Sequence, residues 1–153
     1  MTPGEKNVTS YLRTRVLSAP PEELRLMLLD GAVKFLRQGR DGLARKDYEA
    51  SFNGISQCRD ILVELMTSVK PEPDPELADR VRSLYAFMYS ELISANLEKN
   101  VPKVDKVIEL LEFERETWTL LVEKLAKERA AASGGSVTPE HAGAATPSLS
   151  LQA

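Results

Sequence analysis

The segment Lys70-Pro71-Glu72-Pro73-Asp74-Pro75 constrains the fold of this chain more than any other. Its alternating prolines remove backbone donors and push each preceding residue toward extended geometry, so no helix can run through it. On either side lie long proline-free stretches in which apolar residues recur every three or four positions, the spacing of a helix with one buried face. Pro20-Pro21-Glu22-Glu23 offers a proline for a first turn and acids for the positive end of the helix dipole, so a helix starts there. It runs to about 44, where Gly39 and Gly42 weaken the last turns and Asp47 caps a second helix of about 48–69. Asp74 with Pro75 opens a third helix, about 75–98, and Asn100 with Pro102 a fourth, about 101–130. Short connections make sequential helices antiparallel neighbours. The expected fold is all-α, an antiparallel four-helix bundle over 21–130.

The flanks differ from this body. Within 1–20, Val8, Tyr11 or Leu12, and Val16 share one helical stripe, which predicts a short helix unable to stand alone. Residues 131–153 are rich in Ala, Ser, Gly, Thr and Pro, and are expected to be a disordered tail.

Composition narrows the function classes. The chain has 153 residues and 42% hydrophobic content, enough for one core. Its 20 Lys and Arg against 23 Asp and Glu give a net charge of -3, which argues against nucleic acid, since phosphate binding needs concentrated basic surface. The longest apolar run in the body is Leu26 to Leu29, far short of the ~20 residues that span a bilayer. Residues 1–11 read as no secretory signal. A cytoplasmic protein with no membrane insertion is expected. Cys58 is the one cysteine, so neither an intrachain disulfide nor a thiolate cluster can form.

The apolar rows are uneven. Ile55, Cys58, Leu62, Leu65 and Val69 form one seam in the second helix; Val104, Val107, Leu111, Trp118, Leu121 and Leu125 do so in the fourth. The other two helices carry more. The first has Leu24, Leu28, Ala32 and Phe35 on one row and Leu26, Leu29, Val33 and Leu36 on another. The third has Leu77, Val81, Leu84, Met88 and Leu92 as a core row, with Tyr85, Tyr89, Ile93 and Leu97 on a flank. The surplus fits either a wide interior that also packs under the N-terminal segment or an exposed groove for a partner's amphipathic helices.

Little chemistry is on offer. His141 is the sole histidine and lies in the tail, so neither a histidine-centred catalytic group nor a Glu-x-x-His metal pair can form in the bundle. No cofactor and no metal are expected. A helical enzyme holding a small anion would need Arg59, Arg115 and Glu114, with Arg80 and Arg82, to converge; rim charges paired with neighbouring acids are the simpler account. Gly31, Gly39 and Gly42 lack phosphate-loop spacing and fit close helix approach or fraying.

Asn7 to Tyr11, the block Ala19-Pro20-Pro21-Glu22-Glu23-Leu24-Arg25-Leu26-Met27-Leu28-Leu29-Asp30-Gly31-Ala32, Asp60 to Leu65, Leu84-Tyr85 with Met88, Ala95-Asn96-Leu97, and Arg115-Glu116-Thr117-Trp118 together resemble the FliS family of flagellar secretion chaperones. The resemblance covers roughly residues 7–127. Departures are Leu29 and Pro20, where the family usually has tyrosine and a capping serine, leaving Ser18 to cap from further back. The proline-rich connector often carries glycine in the family, and the tail after Ala130 has no counterpart.

The resemblance implies a cytosolic chaperone, not an enzyme. It would hold the disordered C-terminal region of flagellin, block premature polymerisation and deliver it to the flagellar export gate. Tyr11 with Val16 and Leu17 would be a lid over the empty groove. The expected partner-binding residues are these three, Leu26, Leu29, Asp30, Val33 and Leu36 of the first helix, and Tyr85, Tyr89, Ile93 and Leu97 of the third. Free protein is expected as monomer or homodimer. A bundle adaptor for another secreted or regulatory protein, and then the small-anion enzyme, are the competing functions.

Overall fold

The computed structural model describes residues 19–71 and 74–137. Four helices follow one another: α1 (Pro21–Ala44), α2 (Tyr48–Thr67), α3 (Pro75–Glu98) and α4 (Val101–Val137). No strand occurs among the described residues. All four starts fall where proline and cap residues predict them. Two ends differ: α2 stops at Thr67 rather than 69, and α4 continues to Val137 rather than stopping near 130. Residues 131–137, expected in the tail, are therefore helical; the run Ala130-Ala131-Ala132 has the propensity to carry an already nucleated helix past 130. The residues expected to form a lid, Tyr11, Val16 and Leu17, with Ser18 and residues 138–153, lie outside the described residues.

The caps explain the sharp starts. Asp47 accepts from the Ala50 N–H, Asp74 from that of Leu77 and Asn100 from that of Lys103, each at 3.1 Å. Pro20 has no capping side chain; its carbonyl accepts from the Glu23 and Leu24 N–H groups. Helices α1 and α3 end on left-handed lysines, Lys46 (φ 63°) and Lys99 (φ 56°). Each lets the next N–H fold back, Asp47 onto the Gly42 carbonyl at 2.8 Å and Asn100 onto that of Ala95 at 2.9 Å.

Contacts between helices define an antiparallel bundle in which each helix lies beside its neighbours in sequence and α4 closes against α1. Helices α1 and α2 meet backbone to backbone: a Cβ added to Gly54 would stand 2.4 Å from the Gly39 nitrogen, and one added to Gly42 would stand 2.7 Å from the Ser51 nitrogen. Charge closes α1 against α4, through Arg37–Glu112, Arg40–Asp105 at 2.8 Å and Arg115–Asp30 at 3.7 Å. The core between them holds Leu29, Leu36, Ile55, Leu62, Leu65, Met88, Leu92, Val104 and Leu111.

This arrangement corrects the row assignment in α1. Leu29, Val33 and Leu36, expected to line a groove, are interior, with at most 1% of their surface exposed. Because α2 contacts one flank of α1 at backbone distance and α4 is tied to the other, both apolar rows face inward. The outer face carries Asp30, Lys34, Gln38 and Asp41. In α3, Tyr85 is likewise fully buried and joins the core, while Leu77 from the expected core row is 55% exposed.

The chain divides into two compact units at Trp118 and Thr119. In the second unit, the continuing α4 leaves Leu120 and Leu121 exposed and Leu125 half-buried.

Candidate functional site

Helix α2 carries a second apolar stripe beside its core seam. Tyr48, Phe52, Arg59 and Val63 are spaced four, seven and four residues apart, so they fall on one helical face. That face turns toward α3, since the Arg59 guanidinium lies over the Tyr89 ring at 5.0 Å and its Nη2 donates to the Tyr89 hydroxyl at 3.2 Å. The Lys99 ammonium, just past the end of α3, lies over the Tyr48 ring at 4.9 Å. On α3 the matching residues are Tyr89, Ile93 and Leu97, four apart. Tyr48, Phe52, Val63, Ile93 and Leu97 remain exposed, Phe52 by 55% and Leu97 by 77%. The α2–α3 face is therefore apolar and accessible, whereas the α1–α4 side is latticed by ion pairs.

A polar knot pins the opposite end of the same bundle. Arg25 of α1 donates to the Tyr85 hydroxyl at 3.3 Å and to Ser68 Oγ at 2.8 Å, and lies over the Trp118 ring at 4.9 Å. Tyr85 in turn donates to Glu114 Oε1 at 2.9 Å. Burial, then the charge of Glu114, pushes the Tyr85 hydroxyl well above its ordinary pKa. Residues from α1, α3 and α4 thus meet at one hydroxyl, and Arg25 ties in Ser68 at the end of α2. Beside it an open cleft of about 180 Å³ is lined by Arg25, Val69, Leu77, Ala78, Val81 and Trp118, with Lys70 and Asp74 completing its lining.

The expected site residues separate into four groups. Tyr89, Ile93 and Leu97 come together on the accessible face. Leu26 is half-buried on α1 and Asp30 is exposed beside Arg115, away from that face. Leu29, Val33, Leu36 and Tyr85 are core, and Tyr11, Val16 and Leu17 lie outside the described residues. Sequence reasoning missed Tyr48, Phe52 and Val63; the signal was their helical register with Arg59, hidden because the charged residue interrupts the apolar stripe.

The groups proposed for anion chemistry stay apart. Arg59 faces α3 from α2, while Arg115 pairs with Asp30 of α1. Arg80 and Arg82 pair with Glu76 and Asp79 along α3. Glu114 accepts from Tyr85. Cys58 is fully buried, and burial pushes its thiol up to about 12, so it carries no thiolate at neutral pH. No helix among the described residues is long and apolar enough to cross a membrane.

Comparison with known proteins agrees with the motif resemblance. Residues 4–125 match the family model described as flagellar protein FliS. Among curated relatives named flagellar secretion chaperone FliS, that of Bacillus subtilis is 26% identical over 82% of this chain and 93% of its own length. Those of Salmonella typhimurium and Escherichia coli are 31% and 30% identical, each over 70% of this chain and 80% and 79% of their own lengths.

Proposed function

The chain belongs to the FliS family of flagellar proteins, and from that premise we propose that it is a cytosolic export chaperone for flagellin. It binds the disordered C-terminal region of flagellin, prevents premature polymerisation and hands the client to the flagellar export gate. It acts by binding, not by catalysis. The observation that supports this reading is the α2–α3 face, where Tyr48, Phe52, Val63, Ile93 and Leu97 stay exposed on two facing helices while the apolar rows of α1 turn into the core. Contiguous apolar surface of this kind suits an amphipathic helix laid along the groove between two helices.

The client gains helix as it binds, so part of the burial free energy is lost to ordering it, and the grip stays reversible. Residues 1–20, with Tyr11, Val16 and Leu17, serve as the lid that the client displaces. Residues 21–130 are the chaperone body, with the rest of α4 and the tail beyond it. Without client the chain is a monomer or homodimer.

Titration with the C-terminal segment of flagellin from the same organism tests the proposal. One-to-one binding, a gain in helicity at 222 nm and a negative heat-capacity change are expected. Absence of binding at micromolar concentrations would remove flagellin as the client.

A further inference from the structure

Resting on the α2–α3 face as the client groove, we infer that this groove selects amphipathic helices bearing two carboxylates about three turns apart on one face, received by Arg59 and Lys99. The argument starts from the uneven pairing of charge. On the α1–α4 side, Arg37, Arg40 and Arg115 each have an acid from the facing helix. Among the described residues Arg59 and Lys99 have none; each lies instead over a tyrosine ring, Tyr89 and Tyr48. Arg59 is also short of an acceptor, since its Nε is shielded from water and unbonded. In a chain with 23 acids against 20 bases, two cations without carboxylates on the apolar face are a local reversal of the overall charge.

A partner can exploit that reversal. Arg59, half-buried and seated on a ring, is partly desolvated, so a carboxylate arriving there gains more than an exposed surface pair would, while the exposed Lys99 adds a weaker second contact. Spacing makes the selection specific. The two rings, Tyr48 and Tyr89, mark positions separated along α2 by the interval from Tyr48 to Arg59, eleven residues and so about 16 Å. A client helix lying along the groove presents acids at that separation when they are ten or eleven residues apart. Three turns take about 10.8 residues, so both acids then share the face that also carries its apolar side chains. Phe52, Val63, Ile93 and Leu97 supply the attraction, and the cations set register and reject basic helices.

The test uses the full chain and the same C-terminal flagellin segment. Affinity is measured at low and moderate salt for the unaltered chain, Arg59→Met, Lys99→Met and the double variant, with helicity at 222 nm as the check on folding. Arg59→Met is expected to weaken binding roughly 10-fold, Lys99→Met roughly 3-fold, and the double variant to lose most of the salt dependence. Arg59→Glu should recover affinity for a segment in which the matching acid is replaced by lysine. Should Arg59→Met fail to fold, the salt slope of the unaltered chain and the exposed Lys99→Met variant decide. Unchanged affinity in both single variants, or a salt-independent unaltered chain, overturns this inference and leaves the chaperone function standing. Self-association through the face, abolished by Phe52→Glu in the absence of segment, would make a second copy the occupant and also overturn it. No binding to the unaltered chain removes the function itself, and the selection with it.

Discussion

Gly54→Ala places a methyl group where two backbones already touch. The added Cβ would stand 2.4 Å from the Gly39 nitrogen, 2.6 Å from the Gly39 Cα and 2.6 Å from the Phe35 carbonyl oxygen. None of these atoms can rotate away, so α1 and α2 must part by about 1 Å to restore ordinary contact. A gap of that size forfeits a quarter to a half of each dispersion contact it opens. The opening also runs along the seam, because Gly39 and Gly42 meet Ile55, Ser51 and Ala50 at comparable distances. Overpacking of this kind costs about 3 kcal/mol at the upper end of its usual range, offset by about 1 kcal/mol from replacing a helical glycine by alanine. The net loss is about 2 kcal/mol, a fall of roughly 8 °C for a bundle of this size. Gly31→Ala is the control: its Cβ would meet only the Ile61 Cδ1 at 3.3 Å, a side-chain tip that can turn, so the propensity gain survives and stability rises by up to about 1 kcal/mol. Urea unfolding followed at 222 nm compares the midpoints, with an unchanged slope confirming that stability itself has moved. A Gly54→Ala midpoint equal to or above that of the parent would refute the account of the α1–α2 seam.

Tyr85→Phe removes the hydroxyl shared by Arg25 and Glu114 and should cost about 1–2 kcal/mol at neutral pH, read from the urea midpoint. The hydroxyl's folded pKa is raised, so its contribution is fully present below about pH 10, its unfolded value, and is lost as pH rises through the folded one. Above pH 10 the parent should therefore lose stability faster than Tyr85→Phe, and parallel alkaline profiles would count against the burial argument. Asp47→Ala, which deletes the cap on Ala50, should lower stability by about 1 kcal/mol in the same assay. Phe52→Glu changes a residue that is 55% exposed and should leave stability within about 0.5 kcal/mol, while weakening capture of the flagellin segment at least 10-fold in a titration. Equal affinity would remove α2 from the groove.

The fold was legible because its punctuation is local. Asp47, Asp74 and Asn100 cap the helices they precede, and a cap is decided by three or four neighbouring residues. Burial is decided across the bundle, and there local reading put Leu29, Val33, Leu36 and Tyr85 at a surface they do not reach. Nothing within α1 distinguishes Leu29-Val33-Leu36 from a groove row; what makes them core is that Gly39, Gly42 and Gly54 draw α2 against one flank while Glu112 and Asp105 hold α4 against the other. Tyr85 looked like surface because a hydroxyl usually keeps to water, and it is core because Arg25 and Glu114 supply its partners from α1 and α4. In Phe52 and Val63 the error ran the other way. Their stripe contains Arg59, and a charge within an apolar row reads as a break in it.

The three seams assign different jobs to the same helices. Glycine contact commits α1 to α2 at backbone distance, which leaves no room for a guest there without unfolding. Ion pairs close α1 on α4, and a guest helix would have to replace carboxylates already in place on Arg37, Arg40 and Arg115. The α2–α3 seam has neither lock. Its side chains are apolar, its cations sit on rings instead of carboxylates, and its exposed residues lose nothing internal when covered. A client seated there exchanges water for contact while the glycine seam, the ion-paired seam and the Tyr85 knot stay intact. That predicts a chaperone whose own urea midpoint rises on binding by mass action, with no change in its resting hydrogen-bond pattern. Hydrogen exchange would read this directly, as protection gained along α2 and α3 and none lost along α1.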